Sequence, residues 1–406
     1  MSLKLPIYLD YNATTPLDRR VLEVMMPYLT ENYGNAASKI HSFGSTAAQA
    51  VEVGRQQVAS LIGADAGAIV FTSGATESNN LAIKGVAEMY SDKGKHIITS
   101  LAEHKAVIDP CRKLEKDGYA VTWLKPDEFG RVSADQVSKA ITDQTILITI
   151  MAANNEVGTI SPIAEIGRIA KTRNVIFHTD ATQAVGKMPF DVDQMGVDLL
   201  SLSAHKIYGP KGVGSLYVRP QAPRVRLTCQ MDGGGHERGM RSGTLNVPGI
   251  VGLGAAAKLA STEMQEEATR LLGLRNRLAG ALTARLDHVR LNGHPTERLP
   301  GTLNMSFAYV EGESCMLKMK NIAVSTGSAC TSPSLQPSHV LSAMGVEEEL
   351  VHNSIRFSLG RFTTEEEIDY TAEHVSKAVT ELRELSPLYE MAMTGVDLGK
   401  VQWKRV

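Results

Sequence analysis

The sequence predicts an α/β protein built on a mostly parallel β-sheet. From about residue 60 to 260, short apolar runs alternate with segments of helical periodicity, which is typical of parallel strands connected by helices. Two of these runs, in residues 174–183 and 199–206, stop abruptly at polar side chains. With 406 residues, the chain is longer than one compact core usually holds, and we expect two domains.

The strands are predicted where β-branched and aromatic residues cluster. Together with the two runs above, the segments 68–72, 96–100, 120–124, 146–150 and 213–218 give a seven-stranded sheet. Between two of the strands, Ser161 and Pro162 predict an N-cap and a proline in the first position of a helix. Gly252 and Gly254 mimic a dinucleotide-binding fingerprint, but no strand precedes them, and we interpret them as helix-packing glycines.

A second region begins near residue 261. Leucines at 271, 274, 278 and 282 share one helical face, and residues 303–307 form a strand pattern. Thr364 and Glu367 make a capping box that opens a helix running through Leu382. We therefore predict a large domain of residues 15–260 and a small domain formed by residues 1–14 and 261–406.

Composition excludes several classes of function. Hydrophobic residues make up 43% and charged residues 21% of the chain, and the net charge is −2, so no basic surface for nucleic acid is indicated. No apolar run is long enough for a membrane span, and the N-terminal residues lack a secretory pattern. Four scattered cysteines favour neither a disulfide framework nor a zinc site. We expect a cytoplasmic protein.

The two runs that end in polar residues carry the strongest functional signal. The first delivers Asp180 and Gln183, and the second delivers Ser203, His205 and Lys206. In an open α/β sheet, ligands bind beyond the carboxyl ends of the strands. This set suits pyridoxal 5′-phosphate, because a lysine forms the Schiff base and an aspartate keeps the pyridinium nitrogen protonated. A turn lysine and a strand-end Asx turn are the plainer alternatives.

Other positions could complete such a site. Ala75 and Thr76 would open a helix after a strand, where free backbone N–H groups bind phosphate, although a simple helix cap looks the same. His104 follows another strand and could equally be a surface histidine. Cys330 lies in a loop of small residues, where a thiol would be exposed and reactive. Arg356 is flanked by apolar residues and is either paired internally or available to a ligand carboxylate.

Taken together, these motifs resemble those of the cysteine desulfurases, specifically the housekeeping type of iron–sulfur cluster assembly (IscS-like) in the class V aminotransferase family. The matching segments are 8–16, 71–78, 99–106, 154–158, 178–183, 205–212, 233–244, 328–332 and 355–362. They extend over nearly the whole chain. The resemblance implies a fold-type-I pyridoxal-phosphate transferase, similar to aspartate aminotransferase, with a large domain and a smaller α/β domain.

The resemblance also implies a role for each matching residue. Lys206 forms the Schiff base, His104 stacks on the ring and moves protons, Asp180 pairs with the ring nitrogen and Gln183 bonds the ring hydroxyl. The phosphate is held by Ala75, Thr76, Ser203, His205 and, from the other subunit of a homodimer, Thr244. Asn155 contacts cofactor and substrate, and Arg356 holds the substrate carboxylate. Cys330 takes the sulfur of L-cysteine as a persulfide and leaves alanine.

An iron–sulfur scaffold protein (IscU-like) and further sulfur acceptors are the partners that the resemblance implies, the former from the tail that contains residues 395–398 and Trp403. No resident metal is expected, although Cys330 could transiently ligate a cluster shared with the scaffold. Two alternatives stay open at this point. One is a selenocysteine lyase or another class V enzyme without a nucleophilic cysteine, and the other is a non-catalytic docking protein that would lack Lys206 or Cys330.

Overall fold

A seven-stranded sheet forms the centre of the structure, a computed structural model that describes residues 3–326 and 337–394. The strand order is β2-β8-β7-β6-β5-β3-β4, and β8 is antiparallel to both of its neighbours while the other pairs are parallel. The strands are β2 (Ile69–Thr72), β3 (His96–Ser100), β4 (Ala120–Leu124), β5 (Thr145–Thr149), β6 (Ile176–Asp180), β7 (Leu199–Ser203) and β8 (Gly214–Val218). All seven predicted strands are confirmed.

Helices cover the sheet and bury most strands completely, which explains their continuous apolar sequences. Apart from the edge strand β4, every strand of this sheet has largely buried residues. The helices of this part of the chain are α1 (Arg19–Thr30), α2 (Ser42–Leu61), α3 (Ala75–Met89), α4 (Lys105–Lys116), α5 (Ala134–Ala140), α6 (Ile163–Thr172) and α7 (Val247–Arg285).

Helix α7 is 39 residues long and packs against α1 and α2 at its N-terminal end. Gly254 lies so close to Gly54 that a Cβ at Gly254 would come within 2.6 Å of the Gly54 Cα. The interpretation of Gly252 and Gly254 as helix-packing glycines is therefore confirmed. The predicted domain division at residue 260 falls inside this helix and stays a prediction.

A second apolar core collects the C-terminal half of α7, the N-terminal strand and most of the chain after residue 300. It surrounds a three-stranded antiparallel sheet, β12-β10-β9, and a parallel pair of β1 with β11. The elements are β1 (Ile7–Tyr8), β9 (Val289–Asn292), β10 (Thr302–Phe307), α8 (Gly312–Lys318), β11 (Ile322–Ala323), α9 (His339–Ala343), α10 (Glu348–His352), β12 (Ser354–Ser358), α11 (Glu365–Arg383) and α12 (Pro387–Met393).

Two helix starts test the capping predictions. The capping box of Thr364 and Glu367 opens α11 with both of its hydrogen bonds, as predicted. The predicted N-cap Ser161 is wrong by one residue, because the N-cap of α6 is Pro162 and no side chain caps it. Ser161 instead donates its N–H to Ala152 O at 3.0 Å and accepts the N–H of Ile163 at 2.9 Å. It belongs to a tight turn before the helix.

The edge strand β2 is protected by the glycine-rich segment 231–244. Within that segment, Glu237 accepts the N–H of Phe71 at 2.7 Å and forms a buried two-bond ion pair with Arg55, each bond 2.8 Å long. Arg238 donates to Ile69 O at 2.7 Å. These contacts occupy the hydrogen-bonding groups of an otherwise open edge. No helix of residues 3–326 or 337–394 has the length and apolarity needed to span a membrane.

Candidate active site

Asp180 ends β6 at the carboxyl edge of the sheet and lies beside the end of β7. Asp180 pairs with Ser201 of the parallel neighbour β7, and Ser201 lies two positions before Ser203. The Asp180 carboxylate accepts the side-chain N–H of Asn79 at 2.7 Å and the backbone N–H of Thr182 at 3.0 Å. The carboxylate is thus fixed by two donors, and sequence reasoning did not identify Asn79.

The turn from β2 into α3 has the form of an anion site. Helix α3 begins at Ala75, and its N-cap Gly74 offers no side chain to the first-turn N–H groups. Gly74 has a φ of 155°, which a residue with a Cβ rarely adopts, and a Cβ there would lie 3.7 Å from the Ser203 hydroxyl. The free N–H groups after Gly74 and the Ser203 hydroxyl can therefore bind one phosphate together.

Lys206 lies immediately after β7, in a short 3-10 helix over residues 204–206. Its amine donates to the backbone oxygens of Asn12 and Ala13, both at 2.6 Å. The N-terminal segment therefore passes directly beside this amine. Lys211, by contrast, is exposed on the following turn, as expected for an ordinary surface lysine.

His104 caps α4, and its Nδ1 atom accepts the N–H of Ala106 at 3.1 Å. Burial lowers its pKa, the positive charge of Lys206 adds to this effect, and the negative charge of Asp180 opposes it. His104 is therefore neutral near pH 7 and carries its proton on Nε2. His104 follows β3, Asp180 ends β6 and Lys206 follows β7, and because these strands run parallel, the three groups lie at the same carboxyl edge of the sheet.

His205 is also held as a neutral imidazole. Its Nδ1 atom is 3.1 Å from the Thr14 hydroxyl. Burial, followed by the charges of Lys206, Lys211 and Lys187, lowers the pKa of His205 to about 4. At neutral pH this side chain offers one N–H as a donor to a bound anion, without a charge of its own.

Arg356 is fully buried in β12 and is paired inside the protein. It donates to the Asp10 carboxylate at 2.7 Å and to the backbone oxygen of Asn155 at 3.0 Å. The side chain of Asn12 donates to the same Asn155 oxygen at 3.1 Å. Arg356, Asn155 and the segment that contacts Lys206 are thus connected through shared hydrogen bonds.

Gln183 is buried beside the same segment. Its amide nitrogen donates to Asn12 O at 2.9 Å, and its amide oxygen accepts the amine of Lys187 at 2.7 Å. Sequence reasoning missed both Asn12 and Lys187. Asn12 lies inside a segment that carries the family resemblance, and Lys187 follows Gln183 by four residues, the spacing at which side chains meet in a helical turn.

The remaining two predicted site residues are Thr244 and Cys330. Thr244 is exposed on the surface of the chain, and Cys330 lies outside the described residues. The structure therefore brings together His104, Asp180, Gln183, Ser203, His205, Lys206, Asn155, Arg356 and the start of α3 at Ala75 and Thr76. The arrangement offers an amine, a carboxylate, a neutral imidazole and an uncapped helix N-terminus at one edge of the sheet.

Comparison with known proteins identifies the family. Residues 7–371 match the model of the class V aminotransferase family. The chain is 60% identical over 401 residues to a cysteine desulfurase IscS of Anaeromyxobacter dehalogenans (strain 2CP-C), and 57% identical over 403 residues to that of Salmonella paratyphi B (strain ATCC BAA-1250 / SPB7), with 99% of each chain covered. The chain is a member of the cysteine desulfurase family.

Solved structures agree with this membership. A NifS-like protein superposes with a TM-score of 0.87 at 39% identity, covering 93% of this chain and all of the other. DndA from Streptomyces lividans superposes with a TM-score of 0.74 at 38% identity, covering 86% of this chain and 98% of the other. The fold-type-I architecture predicted from the sequence is confirmed.

A cysteine desulfurase needs an accessible thiol, and burial excludes two cysteines of this chain from that role. Cys111 in α4 and Cys315 in α8 are both fully buried. Burial raises the pKa of the Cys315 thiol to about 12 and that of Cys111 higher still, so neither forms a thiolate at neutral pH. Cys229 is half-buried and lies 2.9 Å from Met231 O.

Proposed function

We propose that this enzyme uses pyridoxal 5′-phosphate to remove sulfur from L-cysteine, releasing L-alanine and storing the sulfur as a persulfide on Cys330. The observation that carries the proposal is the position of Lys206, Asp180 and His104 at one carboxyl edge of the sheet. An amine and a carboxylate placed together at the carboxyl ends of parallel strands fit this cofactor. The names of the relatives favour cysteine over selenocysteine as the substrate.

The residues present fit the cofactor. The uncapped start of α3 at Ala75 and Thr76, with Ser203 and His205, would hold the phosphate, and Gly74 leaves room for it. Asp180 would pair with the ring nitrogen and Lys206 would hold the cofactor covalently. When bound, the protonated ring withdraws electrons from the substrate and weakens bonds at its Cα and Cβ.

The chain's own groups would handle the substrate and its protons. His104 Nε2, on a neutral imidazole at the same edge of the sheet as Asp180 and Lys206, would hold and move a proton near the substrate. Asn155 and Arg356 would hold the substrate carboxylate. The Cβ–S bond of cysteine breaks as the thiolate of Cys330 bonds the sulfur, and Cβ takes the proton that the thiol carried. The step needs no external oxidant or reductant.

We also propose that the active unit is a homodimer, to which Thr244 contributes across the interface. Thr244 is exposed in its own chain, which supports a contact outside it. Helices α1 and α2 and the segment between them carry exposed apolar side chains, as interfaces do. These are Leu22, Val24, Met26, Leu29, Tyr33, Ile40, Phe43 and Val53.

An iron–sulfur scaffold protein of the IscU type is the sulfur acceptor that we propose, together with other acceptors, and the cytoplasm is the proposed compartment. The three described cysteines are free thiols, which supports a reducing environment. The tail from residue 395, on which the scaffold proposal rests, lies outside the described residues.

Mass spectrometry after brief exposure to L-cysteine tests the proposal. We expect the mass of one sulfur atom to be added to the peptide that contains Cys330, and alanine to be released. Cys330→Ser should abolish both results, whereas the matched control Cys229→Ser should leave them unchanged. Sulfur added to another cysteine, or a persulfide formed equally in Cys330→Ser, would remove Cys330 from this role. If Cys330→Ser turned over L-selenocysteine faster than L-cysteine, that result would favour the selenocysteine lyase alternative.

A further inference from the structure

Lys187 has no part in the proposed function, yet its amine lies at the edge of the candidate active site. It donates to the amide oxygen of Gln183 at 2.7 Å and lies 3.5 Å from the side-chain oxygen of Asn12. The residue as a whole is half-buried. Burial of the amine nevertheless lowers the pKa of Lys187 to about 7. A lysine placed in this way needs an explanation, because most lysines stay in solvent.

The contact decides which way the Gln183 amide points. The Lys187 amine, protonated or neutral, donates an N–H to this amide, and the amide end next to it is the oxygen. A backbone carbonyl can only accept, so the end next to Asn12 O must be the nitrogen, which is 2.9 Å away. A flipped amide would place two donors together at one end and two acceptors together at the other. Lys187 and Asn12 thus favour the same orientation of Gln183.

The same carbonyl links this amide to the amine of Lys206. Asn12 O accepts both the Gln183 amide nitrogen and the Lys206 amine, the latter at 2.6 Å. One N–H of the Gln183 amide donates to Asn12 O. Because the amide is planar, this bond also sets the direction of the second N–H. The orientation of Gln183 is therefore fixed on the side of the crevice where Lys206 lies.

We propose that Lys187 is a positioning residue, which holds the Gln183 amide so that its second N–H donates to the ring oxygen of the bound cofactor. This rests on the proposed function, in which Gln183 meets that oxygen. A fixed donor withdraws electron density from the oxygen and so makes the bound cofactor easier to deprotonate. Without Lys187, the buried oxygen of Gln183 loses its hydrogen-bond donor and the amide is held from one end only.

Several charges act on the Lys187 amine, and they offer a competing explanation. Lys206 and Arg356 disfavour its positive charge, and Glu267 favours it. Tyr11 and Tyr208 line the same small cavity as Lys187 and Glu267. If Lys187 acted on the cofactor by charge alone, its effect would not depend on the Gln183 amide.

A double-mutant cycle on the holoenzyme separates the two explanations. The readout is the apparent pKa of the cofactor's visible absorbance, measured by pH titration, together with the Kd of the apoprotein for pyridoxal 5′-phosphate. We expect Lys187→Met to raise that pKa by about one unit, a tenfold change in proton affinity. In the Gln183→Leu background, Lys187→Met should have almost no further effect.

Two further variants keep the test decisive if Lys187→Met folds poorly. Lys187→Gln keeps a hydrogen-bond donor without the charge, and its cofactor pKa should stay close to that of the wild type. The exposed control Lys211→Met should leave the cofactor pKa unchanged. The inference would be overturned if Lys187→Met shifted the cofactor pKa equally with and without Gln183. It would also be overturned by a pKa shift in Lys187→Gln as large as that in Lys187→Met, or by no pKa shift at all. A wild-type protein that binds no cofactor would instead refute the proposed function.

Discussion

The imidazole of His104 accepts the backbone N–H of Ala106 at 3.1 Å, so one residue both caps helix α4 and keeps its proton on Nε2. These two tasks can be separated. Asparagine is a strong N-cap, but its amide cannot take up and release a proton near neutral pH as an imidazole can. We expect His104→Asn to lower kcat about 100-fold or more while the Tm of the protein without cofactor changes little.

The control for this prediction is His104→Ala. It should show the same loss of kcat and, in addition, lose about 1 kcal/mol of stability with the cap, measurable by urea unfolding. Wild-type activity in His104→Asn would show that the Nε2 proton takes no part in the reaction.

Acid should destabilise the folded protein because buried histidines resist protonation. Burial lowers the pKa of His178 and of His205 to about 4, from about 6.5 in the unfolded chain. Below pH 6.5 the unfolded state binds protons that the folded state does not, so the free energy of unfolding falls as the pH falls towards 4. Each such histidine contributes a slope of about 1.4 kcal/mol per pH unit. Urea unfolding between pH 4 and pH 7 measures it, and His205→Gln should reduce the slope.

Lys206→Ala should abolish the covalent attachment of the cofactor, because Lys206 is the lysine that directly follows β7. The visible absorbance of the bound cofactor measures this directly. Lys211→Ala, five residues later on an exposed turn, is the matched control and should keep the wild-type spectrum. A wild-type spectrum in Lys206→Ala would refute the assignment.

Arg356→Lys should raise the KM for L-cysteine by roughly thirtyfold, equivalent to about 2 kcal/mol, if a charge-assisted hydrogen bond to the carboxylate is lost. Lysine preserves the charge opposite Asp10, so the buried pair is not left with an unbalanced carboxylate. Asp10→Asn removes the negative charge of the pair and should change KM less, since Arg356 keeps its own charge and its hydrogen bond to Asn155 O. An unchanged KM in Arg356→Lys would exclude Arg356 from substrate binding.

The buried ion pair of Arg55 and Glu237 should be costly to break. Arg55→Met would leave the Glu237 carboxylate buried without its cation, and we expect a loss of about 3–5 kcal/mol in the free energy of unfolding. The double variant Arg55→Met with Glu237→Gln should recover part of that loss. Urea unfolding of the four proteins of the cycle measures the coupling, and a loss under about 1 kcal/mol would mean that the pair is effectively solvated.

The strands and the polar residues at their ends could be predicted because the signal is local. A buried parallel strand is a continuous apolar run, and Asp180 and Lys206 stand directly after such runs. Asn12 could not be predicted, because its contacts join residues 143 to 346 positions away along the chain. Lys187 was missed because no strand precedes it, and only the folded turn brings its amine to Gln183. The N-cap of α6 was misplaced by one residue because Ser161 is engaged by Ala152.

Helix α7 runs without interruption for 39 residues, about 58 Å at 1.5 Å per residue, and lends its first half to one apolar core and its second half to the other. The helix therefore connects the two cores. Unfolding either core would expose the leucines or alanines on its half of α7 and destabilise the helix, so the loss would extend to the other core. The two cores should consequently melt as a single cooperative unit.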